Sequence, residues 1–345
     1  MKKTLSTTLA LTLAAGPALA EGTVNILTWE GYADPSFITQ FETESGCKVS
    51  ATYVGSNDDF APKLMAGGGV YDLITPSIDT TALMIDLGVV EPLDTAAITG
   101  WNDIYPKFLA LEGIQRDGAH YGMPYSWGAI AFMYRKDAFT TPPTSIADLW
   151  NPELAGKISL WDDKSAIYVA ARKNGDMDIY NLSDEQIEKA KAALIEQKPL
   201  VRKYWATAGE LVDLYKAGEV VISNTWAGYQ SSLLAAEGIE VVEFIPKEGA
   251  EGWMDAWMVV KDTPNRECAY KFLNMQISEL GQCGVANVNG YSAANAAAAK
   301  NCMSPEQFTA LHQDDPDYLD SLYIWTPLGD RFETYTNAWN AVKAQ

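Results

Sequence analysis

Apolar runs of strand length alternate along this chain with stretches in which apolar side chains return every three or four residues, the two periods of strands and amphipathic helices. Residues 24–29 form the first run; Asp34 and Pro35 then mark a helix start, Phe37, Ile38 and Phe41 share one face, and Gly46 ends it. Residues 48–54 read as the next strand, 60–66 as a helix stopped by Gly67-Gly68-Gly69, and 71–76 as a third strand. This βαβαβ order predicts a parallel sheet covered by helices. A second such unit begins after Arg135, with strands at 157–160, 220–223 and 241–245 and a helix at 183–196 opened by a Ser183/Gln186 capping box. Residues 257–260 read as a strand returning to the first unit, and the acidic, aromatic tail 304–345 as helical. No internal repeat or low-complexity linker interrupts the pattern.

The elements therefore predict an α/β protein of two lobes, one built from 21–133 plus 255–303 and the other from 134–254 plus 304–345. Chain crossings near 132–136 and 252–256 would leave a cleft between them, where the carboxyl ends of strands gather. The length agrees: 345 residues exceed the roughly 250–300 at which one core usually splits. Residues 1–20 read as an export signal, with Lys2 and Lys3, an apolar stretch over 5–15, and Ala18-Leu19-Ala20 as a cleavage site. The expected product begins near Glu21, is soluble and periplasmic, and carries no lipid anchor, since no Cys stands at the junction. No later segment reaches the roughly 20 apolar residues of a spanning helix.

Charge and composition narrow the function. There are 25 basic and 45 acidic residues, a balance of −20 that becomes −22 once Lys2 and Lys3 are removed. Such a surface repels nucleic acid and attracts cations, although general solubility accounts for much of it. Cys47, Cys268, Cys283 and Cys302 form no C-x-x-C pair and only His120 and His312 are present, so neither a zinc site nor any other metal or cofactor is expected. In an oxidising compartment the cysteines predict one or two disulfides, with three pairings possible if all four join and Cys268–Cys302 preferred.

Catalytic machinery is missing by pattern: there is no G-x-S-x-G, no P-loop and no G-x-G-x-x-G. The pair Asp162-Asp163 is the one enzymatic alternative, as glycosidase carboxylates. What stands out instead are aromatics at strand ends and in loops, namely Trp29, Tyr32, Trp127, Trp161, Trp226, Trp253, Tyr291 and Trp325. Each could simply fill core, but together they suit an alkylammonium ligand, offering apolar contact and a negative ring face. A carboxylate would complete such a site. Asp255, inside GWMDAW, is the first candidate, against a helix cap or structural ion pair; Asp163 is next, against a solvated turn; Glu30 and the Ser77 hydroxyl follow, Ser77 against a plain N-cap role.

At these residues the chain resembles the spermidine/putrescine periplasmic binding proteins of polyamine ABC transporters. The likeness runs through LTWEGYADP (27–35), YDLITPS (71–77), YGMPYSWG (121–128), SLWDDKSA (159–166), NTWAG (224–228), GWMDAW (252–257) and NGYSAAN (289–295), in the family's order. It implies a type II periplasmic binding fold, a monomer without catalytic step or cofactor, and a small cationic amine delivered to an inner-membrane ABC permease. It also implies that Trp29, Tyr32, Trp226, Trp253 and Tyr291 wall the ligand near Ser77, with Asp163 and Asp255 binding amine groups from opposite lobes. Two departures bear on the ligand: Gly31 and Ala166 stand where the resemblance expects acids. Putrescine-like diamines and monocations such as quaternary ammonium, betaine or guanidino compounds both remain open.

Overall fold

The computed structural model describes residues 22–67 and 70–345; the segment 1–20 expected to direct export, Glu21 and Gly68-Gly69 lie outside the described residues. The first lobe starts as its pattern predicts. Strand β1 (Gly22–Thr28) pairs in parallel with β2 (Cys47–Tyr53) from Gly22↔Cys47 to Thr28↔Tyr53, and on its other side with β3 (Leu73–Ile74). The connecting helix Pro35–Ser45 opens on Asp34, whose carboxylate accepts from the Ser36 N–H at 2.9 Å, and closes on Gly46 in the left-handed region at φ 72°. It buries Phe37, Ile38 and Phe41. A small hairpin of β4 (Gln115–Arg116) and β5 (Ala119–His120) then leads into β6 (Gly122–Arg135), a strand of 14 residues.

The second lobe holds β7 (Ile158–Trp161), β8 (Val201–Trp205), β9 (Ile222–Trp226) and β10 (Val241–Phe244). Its helix Asp184–Gln197 starts on the predicted Ser183/Gln186 capping box. The chain returns through β11 (Glu251–Val259), and short β12 (Ser292–Ala293) and β13 (Tyr323–Ile324) finish the sheet. The strand order is β2-β1-β3-β11-β6-β9-β7-β8, with β10 and β12 also on β6 and β13 also on β11. Strands β6 and β11 are the shared elements. Their antiparallel pairing runs from Glu251↔Ile130 to Met258↔Gly122; one end of the pair meets β3, and the far end of β6 meets β9. Every residue of β11 is buried, because this strand lies under both lobes.

Three expectations need correction. The strand expected at 257–260 begins at Glu251, since Gly252 and Asp255 break an apolar run that the fold nevertheless covers on both faces. The tail is helical only in pieces, Pro305–Ala310 and Phe332–Ala344 being its α-helices; β13 interrupts it, and Pro327 and Gly329 prevent a continuous helix. The disulfides are Cys47–Cys268 and Cys283–Cys302, not Cys268–Cys302. Cys268 sits in the helix Arg266–Ile277, which packs on β1 and so faces Cys47 at the start of β2. Cys302 instead follows the short helix Ala296–Ala299 back towards the helix Glu279–Asn289 that carries Cys283.

The two bridges close very different loops, with sequence separations of 221 and 19. On chain-entropy grounds the longer one restricts the unfolded chain more, by about 2 kcal/mol. Denaturant unfolding is therefore expected to show a larger loss of stability for the Cys47→Ala/Cys268→Ala double variant than for Cys283→Ala/Cys302→Ala. The reverse order would mean that native-state contacts, not chain entropy, set the contribution of these bridges.

Candidate ligand-binding site

Trp29 follows β1, while Trp161 and Trp226 are the last residues of β7 and β9, so all three leave the sheet at its carboxyl ends and meet in the cleft. From β11 come Trp253 and Asp255, two residues apart and therefore on one face. Together with Tyr32, Ser77, Ile130, Tyr291 and Trp325 they line a cavity of about 280 Å³. The walls are rings set edge to face: Trp29 and Trp226 have centroids 5.6 Å apart, Trp161 and Trp226 5.4 Å, and Trp253 and Tyr291 4.7 Å. Trp161 is also stacked between Trp205 and Trp325, both at 16°.

Asp255 is the only carboxylate among the described residues lining this cavity. It sits at a β-bulge, where the register steps from Asp255↔Ser126 to Ala256↔Pro124. Bulges re-aim side chains, and a proline, lacking an N–H, is tolerated in a strand at such a point. On its other side the Asp255 backbone bridges Ser77, and the Ala256 N–H donates to Pro76 O at 3.2 Å. The Ser77 hydroxyl donates to Asp255 Oδ1 at 2.6 Å and the Tyr32 hydroxyl to Oδ2 at 2.6 Å; Ser126 Oγ lies 2.5 Å from the Tyr32 oxygen and completes a relay of neutral groups. Burial pushes the Asp255 carboxyl up to about 7, against the lowering effect of the Ser77 and Tyr32 bonds, and nearby Asp79 adds to the rise. No cationic side chain among the described residues offsets it. Burial next to this acid also raises the Tyr32 hydroxyl far above its usual range, keeping it a donor.

Of the residues expected from sequence, Trp29, Tyr32, Ser77, Trp226, Trp253, Asp255 and Tyr291 are brought together on these walls. Glu30 and Asp163 lie outside them. Glu30 Oε2 accepts from the Ala208 and Gly209 N–H groups at 3.0 and 3.4 Å, at the start of the helix Ala208–Lys216 in the opposite lobe. Asp163 is buried, accepting from Ser56 Oγ at 2.7 Å, the Asn57 N–H at 3.3 Å and the Ser165 N–H at 2.8 Å. Both therefore join lobe to lobe. Trp127, expected at the cleft, is core: it is fully buried against Phe108 and donates from Nε1 to Ala293 O at 3.1 Å. Trp161 and Trp325, noted only as strand-end aromatics, belong to the walls, and Ile130 was not anticipated because β6 carried no clear strand pattern.

Further contacts hold the lobes closed. Trp161 Nε1 donates to Gly55 O at 2.7 Å, and a Cβ on Gly55 would lie 2.2 Å from Ala206 O, so only glycine permits this approach. Next to it, the fully buried Lys164 places Nζ 3.0 Å from Asp79 Oδ2 and 3.5 Å from Asp58 Oδ1, both from the first lobe. Burial opposes the charge on Lys164, but Asp79, Asp163 and Asp58 outweigh it and hold the ammonium firmly protonated.

A curled sheet shared by two α/β lobes, closed over a pocket at the strand ends, defines the type II periplasmic binding fold. The chain belongs to the bacterial extracellular solute-binding protein family, whose model matches residues 36–317. It is 30% identical over 346 residues to the spermidine/putrescine-binding periplasmic protein of Salmonella typhimurium, covering 97% of this chain and 96% of the relative. It is 27% identical to a putrescine-binding periplasmic protein of Escherichia coli, covering 95% and 93%. In structure it is similar to the binding protein MotA of A. tumefaciens B6, solved with glucopine, with a TM-score of 0.78 at 20% identity over 93% and 99% of the two chains. No helix among the described residues is long and apolar enough to cross a membrane.

Because Asp255 is raised from 3.8 in the open chain to about 7 when folded, the folded state keeps a proton that the unfolded state gives up between those values. Stability of the ligand-free protein is therefore expected to fall as pH rises from about 4 to about 7. Raised Asp58, Asp79, Glu243 and Glu251 act with the same sign. Unfolding measured across this range should show a shallower slope for Asp255→Asn; an unchanged slope would remove Asp255 as a source of the pH dependence.

Proposed function

We propose that this protein is the periplasmic solute-catching component of an ABC importer and that its solute is a small organic amine bound as an ammonium ion. One observation carries the reading: a buried carboxylate with only neutral partners faces a pocket walled by five indole and two phenol rings. An ammonium there gains a charge-assisted hydrogen bond and ring-face attraction, both strong where water is excluded. The names of the relatives, putrescine- and spermidine-binding proteins, point to the same chemistry.

The ligand set proposed is Trp29, Tyr32, Ser77, Trp226, Trp253, Asp255 and Tyr291, joined by Trp161 and Trp325. Glu30 and Asp163 serve closure. The lobes are taken as 21–133 plus 255–303 and 134–254 plus 304–345, flexing through β6 and β11, and the closed form is what a membrane permease would read. Polyamines of the putrescine or spermidine type and simpler monocations both need the ammonium on Asp255; they differ in the further counter-charges they require. The glycosidase alternative loses its reagents, since Asp162 accepts from Trp339 Nε1 at 2.9 Å and Lys343 Nζ at 2.7 Å, and Asp163 is held at the lobe interface.

A thermal-shift screen with putrescine, spermidine, agmatine and choline is expected to yield at least one stabilising compound, by mass action on the folded state. Asp255→Asn should abolish the shift. In the unsubstituted protein, affinity should weaken about tenfold per pH unit below 7, as the carboxyl must release its proton to receive a cation. A shift that survives the substitution would exclude Asp255 from the site.

A further inference from the structure

Among the described residues, the carboxylates near the cavity other than Asp255 already have their counterparts. Glu30 is spent on the backbone N–H groups that open the helix Ala208–Lys216. Asp163 receives three hydrogen bonds from Ser56, Asn57 and Ser165. Asp79 follows the cavity residue Ser77 by two positions, and it and Asp58 are met by the ammonium of Lys164, which also lies 4.9 Å from the centre of the Phe332 ring. That arrangement, an ammonium held between carboxylates from the facing lobe and an aromatic face, is the chemistry expected of a bound amine, but here the amine is tethered to the chain.

Two further positions beside these groups offer nothing in exchange. Gly31 has φ 87°, and a Cβ there would lie 2.3 Å from Asn289 Nδ2, so no longer side chain fits. Ala166 is buried in the first turn of the helix Ser165–Lys173 and carries only a methyl group.

We infer that the solute carries a single positive charge: the pocket accepts one ammonium at Asp255 on an otherwise apolar body, because the Lys164 ammonium already occupies the second carboxylate cluster. The inference rests on the amine reading above and narrows it. A second ammonium on the same ligand would leave water with no counter-charge to receive it among the aromatic walls, a heavy penalty.

Matched pairs that differ only in the second charge test this. With intrinsic tryptophan fluorescence as readout, n-butylammonium is compared with putrescine, and butyltrimethylammonium with its 1,4-bis(trimethylammonium) counterpart, on the full mature chain. At least one monocation should bind, and more tightly than its dication by about tenfold or more. Putrescine or the bis-quaternary compound binding as well as its partner would overturn the inference while leaving the amine reading intact; binding by none of the four would overturn both. In Lys164→Ala, which frees the carboxylates of Asp58 and Asp79, the ratio should move towards putrescine by about tenfold. A ratio unchanged in a folded Lys164→Ala protein would overturn the role of Lys164, and if that variant does not fold the comparison on the unsubstituted protein decides alone.

Discussion

A carboxylate taken out of water and given only hydroxyls for company is the constraint around which this molecule is arranged. Asp255 is inside both lobes, on a strand shared by both, at a bulge that turns it into the cleft. Two hydrogen bonds from Ser77 and Tyr32 lower the cost of its charge, yet burial still dominates and the group sits at about 7. A cation in the cavity would cancel that cost, and only closure places the ring walls of the two lobes around the same point. On the proposed reading the energy of solute binding is coupled to lobe closure, since a ligand shifts such an equilibrium only through interactions that differ between open and closed forms.

The same interface contains a second electrostatic seam of the opposite kind. Lys164 with Asp58 and Asp79, Asp163 with Ser56 and Asn57, and Glu30 with the helix Ala208–Lys216 are all complete without solute. Buried charge pairs bring modest net stability once desolvation is counted, but they penalise any closure in which the partners miss each other. The satisfied seam therefore fixes the relative placement of the lobes, while Asp255, hydrogen-bonded but without a counter-charge, faces the space between them. Gly55 belongs to the first role, because its missing side chain lets Ala206 approach and Trp161 reach its carbonyl.

Much of this was legible in the residues. Asp34-Pro35, Gly46 and the Ser183/Gln186 box located helices because caps are chemical signals independent of tertiary context. Trp29, Trp161 and Trp226 ended or followed apolar runs, and strand ends are where side chains leave a sheet for a cleft. Asp255 stood out as an acid among bulky apolar neighbours. What local sequence did not convey shares a physical cause. β6 holds Gly122, Pro124 and Gly128 and is buried along nearly its whole length, so neither alternation nor an unbroken apolar run announced it. Asp163 and Glu30 were legible as important acids, but whether an acid meets a ligand, a hydroxyl or a helix start depends on the facing lobe, which local sequence does not encode. Lys164, adjacent to Asp163, carries no local signal for the same reason: a lysine reads as solvated until two acids from elsewhere enclose it. Disulfide pairing failed likewise, being set by which helix packs on β1.

Likeness of fold to MotA, solved with glucopine, shows how little the architecture itself specifies about the solute. Discrimination has to reside in the few side chains that face the pocket and in the backbone that positions them. At Gly31 the backbone is the more restrictive of the two. Its positive φ disfavours any side chain, and Asn289, which donates from Nδ2 to Glu30 O at 3.0 Å, fills the space such a chain would take. Replacing Gly31 by an acid would therefore disturb the loop carrying Trp29 and Tyr32 before it added a counter-charge. The Glu30 carboxylate meets the N–H groups that open the helix Ala208–Lys216. The acidic character of the pocket is thus limited to Asp255 by the path of the main chain, and adding a second carboxylate at this loop would require it to be rebuilt, not one residue exchanged.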